Sequence, residues 1–379
     1  MPPIPPDRAS GGGIRPREDP VTVEGEVDPR FKPVREVFAS VVRDGDGPGA
    51  SLAVWHGGRW VVDLWGGFAD EGRTRPWRSD TIVMTYSVCK PFAALTALVL
   101  ADRGRIDLDA PIATYWPEMT ARTTMRQILA HQSGHVVLDA PLPESALYDW
   151  ELLCRSLAAQ TPAWEPGAAH GEAALFYGHL IGEVVRRVDG RSLGRFLADE
   201  ICGPNDLDFH IGLTDAQLER VADLVGFDDA FRATQEGWTD VLRRGFANPP
   251  GAIDRDVVNG ERWRRAEIPA VNGHGTARGI AGLYVALDEG RILSSAMLAT
   301  MTSVAASGTD LVMGDEREWG VGVVLDADGF GMGGLGGSVG WWSRAGGYAL
   351  GFATAEIAGY DRSERLENAV RDCLGLPPL

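Results

Sequence analysis

The segment Thr85-Tyr86-Ser87-Val88-Cys89-Lys90-Pro91 places a serine and a lysine three residues apart. On a helix, side chains with this spacing project from the same face. Lysine is rare in this chain: among 36 lysines and arginines, the only lysine besides Lys90 is Lys32. Arginine keeps its proton in proteins, whereas a desolvated lysine amine can lose it. Ser87 and Lys90 can therefore form a serine nucleophile with a lysine as its base.

The residues that follow Ser87 predict a buried helix. The sequence is apolar and compatible with a helix from Ser87 to Asp102, and it stops at Gly104. Ser87 is thus expected at the start of this helix, where backbone N–H groups without helical partners can bind an oxyanion.

Composition narrows the class of protein and of partner. The chain has 379 residues, of which 44% are hydrophobic and 23% charged, as in globular proteins. It has no run of 18 apolar residues and no N-terminal signal-peptide pattern, so we expect a cytoplasmic protein without a membrane partner. A net charge of −17 disfavours nucleic acid and anionic membranes as partners, and the partner expected from the motifs below is a small-molecule substrate. Composition leaves the oligomeric state open.

No cofactor or metal is expected from the motifs. The four cysteines lack a CxxC spacing and are expected to be reduced thiols. The seven histidines lack an HExxH motif or other metal-ligand spacing. No glycine-rich phosphate loop follows a strand and opens a helix, so nucleotide binding is not predicted.

The order of elements predicts an α/β domain built from both ends of the chain. An extended arm is expected over residues 1–25, and a β-hairpin over Ser51–Trp65. A mainly helical domain is expected over 106–271. Residues 26–105 and 272–379 are expected to form the α/β domain, whose C-terminal part has short apolar runs separated by glycines.

Five segments together resemble the serine β-lactamase and penicillin-binding-protein fold, in particular its esterase branch, the family VIII carboxylesterases. They are Ser87–Lys90, 129–134 (LAHQSG), 164–167 (WEPG), 182–192 (GEVVRRVDGRS) and 331–338 (GMGGLGGS). In this order they place the resemblance over about residues 30–375. The resemblance implies an α/β plus all-α fold, with an antiparallel sheet flanked by helices and a helical insertion domain.

The same resemblance implies that Ser87 forms an acyl-enzyme and that Lys90 is its base. A tyrosine from the helical domain normally completes this proton relay. Aligning Pro166-Gly167 and the following glycines without gaps places Glu172 at the tyrosine position, and the nearest tyrosine is Tyr177.

The carboxylate of Glu172 changes the expected proton chemistry. A phenol has an ordinary pKa of about 10 and is mostly neutral, whereas a glutamate at about 4.3 is ionised. Three hypotheses remain for Glu172. It is a replacement base, it redirects or abolishes the usual chemistry, or it is irrelevant because a local shift brings Tyr177 into the site.

Met332 is a second departure from the family pattern. Met332-Gly333-Gly334 occupies the place of the family's Lys/His/Trp-x-Gly triplet, whose cation helps to hold a substrate carboxylate. We therefore expect weak or no β-lactamase activity and an apolar acyl pocket. The expected substrate contacts are Met332, Gly333, Gly334, Leu335, Tyr86 and Tyr177, with the N–H groups of Ser87 and Leu335 as the oxyanion hole.

Two functions follow from these observations. The first is a serine hydrolase or acyltransferase that acts on a small ester, thioester or amide through an acyl-Ser87 intermediate, with Ser87, Lys90 and Glu172 as catalytic residues. The second is a non-hydrolytic descendant of the fold, either a binding protein or an enzyme with redirected chemistry in the same cleft. A rival nucleophile, Ser338 in the elbow-like Gly336-Gly337-Ser338-Val339-Gly340, lacks the helix that such an elbow requires after it.

Overall fold

The structure is a computed structural model that describes residues 23–43 and 47–379. Most of the predicted N-terminal arm, residues 1–22, lies outside the described residues. Its last two residues, Glu24 and Gly25, already belong to the first strand.

Within the described ranges the chain forms twelve strands and fourteen α-helices. The strands are β1 (Glu24–Val27), β2 (Ala50–His56), β3 (Arg59–Gly66), β4 (Val83–Met84), β5 (Phe209–His210), β6 (His274–Gly275), β7 (Ala306–Thr309), β8 (Glu316–Trp319), β9 (Val324–Leu325), β10 (Gly329–Gly333), β11 (Val339–Ser343) and β12 (Tyr348–Thr354). The helices are α1 (Lys32–Val41), α2 (Cys89–Asp102), α3 (Met125–Leu129), α4 (Trp150–Ala159), α5 (Tyr177–Asp189), α6 (Leu193–Leu197), α7 (Asp215–Leu218), α8 (Asp229–Thr234), α9 (Asp240–Ala247), α10 (Arg255–Val258), α11 (Glu261–Arg265), α12 (Ala277–Asp288), α13 (Ser295–Met301) and α14 (Asp361–Leu374).

A nine-stranded antiparallel sheet joins the two ends of the chain. Its order is β1-β3-β2-β12-β11-β10-β9-β8-β7. The ends meet where β2 pairs with β12, from Ala50 opposite Thr354 to His56 opposite Tyr348. The predicted hairpin is confirmed as β2 and β3, and so is the antiparallel sheet flanked by helices.

Helices cover both faces of this sheet. On one face, α1 buries Val34, Phe38 and Val41, which recur at helical spacing, and shares a core with α14. On the other face α12 packs against β2, β11 and β12. Thr276 caps α12 by accepting a hydrogen bond from Gly279 N at 3.0 Å.

Helix α2 lies in the main core, and its first turn lies at β10. Every residue from Cys89 to Leu100 is buried, so the helix is buried on all sides, as predicted. It packs against α5 and α6 of the helical segment and contacts β10 of the sheet. The turn that carries Ser87, immediately before α2, is therefore placed where helices and sheet meet.

The apolar run Trp319–Leu325 contains the ends of two strands. The run Trp319–Leu325 is broken because β8 ends at Trp319 and β9 begins at Val324. Gly322, between them, has φ +101°, which only glycine adopts without strain. The reversal makes β8 a separate strand that pairs with β7 and extends the sheet beyond β10.

Candidate active site

Ser87 lies in a one-turn 3-10 helix, residues 86–88, that leads into α2. Tyr86 has φ +47°, a strained conformation for a bulky residue of the kind that clusters at active sites. The turn is fixed on both sides, because Thr85 N donates to Gly273 O at 2.9 Å and the Tyr86 hydroxyl donates to Ala252 O at 3.1 Å. Ser87 itself remains half-buried.

Lys90 lies one helical turn later and is 1% exposed. Its Nζ donates to Ser87 Oγ at 2.7 Å, and also reaches the carbonyl oxygens of Ala270 at 3.1 Å and Ala174 at 3.2 Å. A buried amine with this many acceptors is held in one position. The predicted contact between Ser87 and Lys90 is thus present.

Glu172 contacts both Ser87 and Lys90. Its side chain is buried, and Oε1 lies 2.9 Å from Lys90 Nζ. The Ser87 hydroxyl donates to the same oxygen at 3.1 Å. Ser87, Lys90 and Glu172 therefore touch one another pairwise, which places the glutamate in direct reach of the serine proton.

A second cation reaches Glu172 from the sheet. Arg317 Nη1, on β8, lies 3.5 Å from Oε2 of Glu172. Burial alone would raise the pKa of the Glu172 carboxyl, but the charges of Lys90 and Arg317 outweigh burial and hold the pKa at about 2. The carboxylate is therefore ionised throughout the range in which enzymes are usually assayed.

Asp310 fixes the backbone that carries Glu172. This fully buried carboxylate accepts the N–H of Glu172 at 3.0 and 3.2 Å. It also accepts the backbone N–H of Val312 at 2.9 Å, that of Met313 at 2.8 Å and the indole N–H of Trp319 at 3.1 Å. One side chain thus joins the Glu172 segment to strand β8.

We expect Asp310→Ala to lower the free energy of unfolding by about 3 kcal/mol or more, because several buried N–H groups would lose their acceptor. Chemical denaturation of the purified variant measures this loss. Asp315→Ala is the matched control: that aspartate is more than half exposed and should contribute about 1 kcal/mol or less. Equal losses in the two variants would contradict the role of Asp310.

Tyr177 and Tyr86 are not placed as the sequence predicts. Tyr177 is fully buried, its ring stacks on His131 with centroids 4.5 Å apart, and its hydroxyl donates to Leu129 O at 3.1 Å. The hypothesis that a local shift brings Tyr177 into the serine site is therefore wrong. Tyr86 is buried and holds Ala252, so both tyrosines support neighbouring backbone and neither has a side chain open to substrate.

Met332 also differs from its predicted position. The side chain is 2% exposed and packs in a small core with Ala306, Trp319 and Val324. Side chains alternate along β10, and at Met332 the alternation directs the side chain into this core. The Met332 side chain therefore packs against Trp319 of β8. The sequence predicts that it contacts substrate, but it does not line open space.

The glycines after Met332 bring β10 onto the serine turn. A Cβ at Gly334 would lie 2.1 Å from Thr85 O and 3.3 Å from Ser87 N, so a side chain is excluded there. A Cβ at Gly333 would lie 2.7 Å from the hydroxyl of Tyr360, which donates to Gly334 O at 3.1 Å. The half-buried Leu335 follows directly.

Three groups at the site were not predicted from the sequence: Asp310, Arg317 and Tyr360. They reach Glu172 or the β10 glycines from segments that follow Glu172 by well over a hundred residues. No motif marks them.

The described ranges hold neither a metal cluster nor a membrane-spanning helix. Among residues 23–43 and 47–379, no three His, Cys, Asp or Glu side chains are arranged to hold a metal ion. In the same part of the chain, no helix is both long and apolar enough to cross a membrane.

The arrangement can activate a hydroxyl as a nucleophile. A serine at a helix entrance contacts a buried carboxylate that can accept its proton and a buried cation that can stabilise negative charge on its oxygen. The backbone of β10 approaches the serine nitrogen from the other side.

Comparisons with known proteins agree with this geometry. The sequence profile of the family described as Beta-lactamase matches residues 34–368. The esterase/beta-lactamase LipL of Mycobacterium tuberculosis is 34% identical over 349 residues, which cover 84% of this chain and 80% of LipL. The crystal structure of a family VIII carboxylesterase is 39% identical, with a TM-score of 0.85 and coverage of 93% of this chain and 99% of that chain. A penicillin-binding protein homolog from Caulobacter crescentus is 33% identical, with a TM-score of 0.82 and coverage of 93% and 99%. These matches confirm the resemblance predicted from the motifs.

Proposed function

The chain belongs to the Beta-lactamase family, and from this premise we propose that it is a serine hydrolase that acts on a small ester, thioester or amide through an acyl-Ser87 intermediate. The observation that carries the proposal is the contact of Ser87 Oγ with both Lys90 Nζ, at 2.7 Å, and Glu172 Oε1, at 3.1 Å. The esterase names of LipL and of the family VIII carboxylesterase favour an ester as the first substrate to test.

In the proposed acylation, Glu172 Oε1 takes the proton of Ser87 while Oγ forms a bond to the substrate carbonyl carbon. The carbonyl π electrons move to its oxygen, which becomes an oxyanion. When the oxyanion collapses, the bond to the leaving group breaks and the leaving oxygen, sulfur or nitrogen takes the proton from Glu172. The Nζ of Lys90 donates a hydrogen bond to Oγ and stabilises the charge that develops there.

Deacylation repeats these steps with another nucleophile. Water, or a bound alcohol or amine, gives its proton to Glu172 while it attacks the acyl carbon. The bond to Ser87 Oγ then breaks and Oγ takes this proton, which releases the acid from water and the transferred acyl group from the alcohol or amine. The N–H groups of Ser87 and Leu335 are the proposed oxyanion hole, supported by the close approach of Gly334 to Ser87 N. Because Met332 cannot supply a cation for a substrate carboxylate, we propose that β-lactams are poor substrates.

The direct test is covalent labelling. Wild-type protein treated with a fluorophosphonate should gain one phosphonyl group, and p-nitrophenyl acetate should give an acetyl adduct, both read by intact mass. Ser87→Ala should gain neither. Ser338→Ala is the matched control and should label fully, because Ser338 is buried and its Oγ accepts a hydrogen bond from Thr354 N at 3.3 Å. Labelling that moves to Ser338 or persists in Ser87→Ala would refute the assignment.

A non-hydrolytic protein is the second candidate. The replacement of the family tyrosine by Glu172, which forms an ion pair with Lys90, favours it, because the usual proton relay through a neutral phenol is absent. Folded wild-type protein that forms no adduct with either reagent would support this candidate over the hydrolase.

We place the protein in the cytoplasm as part of this proposal. The four cysteines are free, and three of them, Cys89, Cys154 and Cys202, are buried thiols. Unpaired cysteines fit a reducing compartment.

A further inference from the structure

The carboxylate of Glu172 lies between two cations that come from different parts of the fold. Lys90, from α2, lies 2.9 Å from Oε1, and Arg317, from β8, lies 3.5 Å from Oε2. The family pattern provides the first of these cations, and nothing in the sequence motifs provides the second.

The position of Arg317 is fixed by its neighbours. Its Nε and Nη2 donate to the two oxygens of Asp315 at 2.7 and 3.0 Å, which orients the guanidinium and leaves Nη1 toward Glu172. Two residues further along β8, Trp319 donates to Asp310, which also accepts the backbone N–H of Glu172. The buried carboxylate of Asp310 thus joins the backbone of Glu172 to strand β8, which carries Arg317.

We propose that Arg317 is a positioning residue for the reaction: it shares the Glu172 carboxylate with Lys90 and thereby sets how readily Glu172 accepts the proton of Ser87. This inference rests on the proposed function, because it takes Glu172 as the proton acceptor. Met332 on β10 supplies no cation for a substrate carboxylate. The additional cation of this site comes from β8, and it acts on Glu172, the proposed base.

The charges around Glu172 explain why Arg317 matters. A cation beside a carboxylate disfavours its protonated form, so two cations keep Glu172 ionised but make it a weak base. Burial keeps His131 neutral by lowering its pKa to about 3 and keeps Tyr360 neutral by raising its pKa to about 12. The groups that face Glu172 are Lys90 and Cys89 from α2, His131 after α3, Tyr177 from α5, Asp310 between β7 and β8, Arg317 from β8 and Tyr360 before α14.

The experiment compares Arg317→Met with two controls. Arg317→Lys keeps a cation on β8, and Arg126→Met removes an arginine that forms the same forked pair with an aspartate, Asp109, away from the site. Two quantities are measured against pH: the carboxyl ¹³C shift of Glu172, assigned with Glu172→Gln, and the rate of fluorophosphonate labelling.

In Arg317→Met the titration midpoint of Glu172 should rise by about 1–3 pH units. The labelling rate should fall with decreasing pH at that same higher midpoint, because only ionised Glu172 accepts the proton. Arg126→Met should match wild type, and Arg317→Lys should lie closer to wild type than Arg317→Met does.

Two results would overturn the inference while the proposed function stands: an unchanged carboxyl midpoint in Arg317→Met, or a changed midpoint that the labelling rate does not follow. If the wild-type protein is not labelled at all, the proposed function itself fails, and the role of Arg317 in it fails too. A uniform loss of rate at every pH would indicate a structural role only.

Discussion

Replacing Lys90 with methionine is expected to slow acylation of Ser87 by about 10²–10⁴-fold and to lower the free energy of unfolding by about 3–5 kcal/mol. Methionine has a similar length and an apolar side chain, so the pocket stays filled while the charge is lost. The rate falls because Ser87 Oγ loses the cation 2.7 Å away that stabilises its developing charge. Stability falls because Glu172 remains buried without its nearest counter-charge.

A double variant separates these two losses. Lys90→Met combined with Glu172→Gln removes both charges, so much of the stability should return while labelling stays slow. Urea unfolding and the labelling rate measure the two effects. Lys32→Met is the matched control, because Lys32 is the only other lysine of the chain and is exposed. A Lys90→Met protein that labels as fast as wild type would rule out a role for Lys90 in acylation.

The sequence predicts the centre of the site because its parts depend on short spacings. Ser87 and Lys90 are one helical turn apart, and a gapless register from Pro166 reaches Glu172. The short spacings in the sequence therefore identify the side chains that can form the catalytic site. They do not decide which side chain enters the open space, and Tyr177 and Met332 are both turned into cores that form only when distant segments pack.

The outer part of the site depends on long-range packing. Asp310 and Arg317 approach Glu172 only because a glycine turn at Gly322 separates β8 from β9 and adds the β7–β8 pair to the sheet. An apolar run such as Trp319–Leu325 has no periodicity that marks this break. The β-hairpin β2–β3, in contrast, is bounded by its own turn glycines, and its prediction is confirmed.

Glu172→Gln is expected to reduce the rate of Ser87 acylation by about 10²–10⁴-fold if the glutamate is the base, since an amide keeps nearly the same shape but cannot take the proton. Glu172→Tyr introduces the side chain that the family normally has at this position. With a phenol at position 172, Lys90, which contacts Ser87 Oγ, could act as the base as in the family pattern. We expect the tyrosine variant to acylate faster than the glutamine variant but more slowly than wild type. Stopped-flow acylation by p-nitrophenyl acetate measures the three rates.

The order of these rates decides between the two remaining hypotheses for Glu172. Full activity in Glu172→Gln would exclude the replacement base, because no group at position 172 could then accept the serine proton. A tyrosine variant faster than wild type would mean that the glutamate diverts this site from ester chemistry, which favours the non-hydrolytic candidate. Glu165→Gln serves as the control, since it changes an exposed glutamate of the same segment and should leave the acylation rate unchanged. Unfolding free energies are compared in parallel, because overpacking by the larger tyrosine would cost about 1–3 kcal/mol without any change in mechanism.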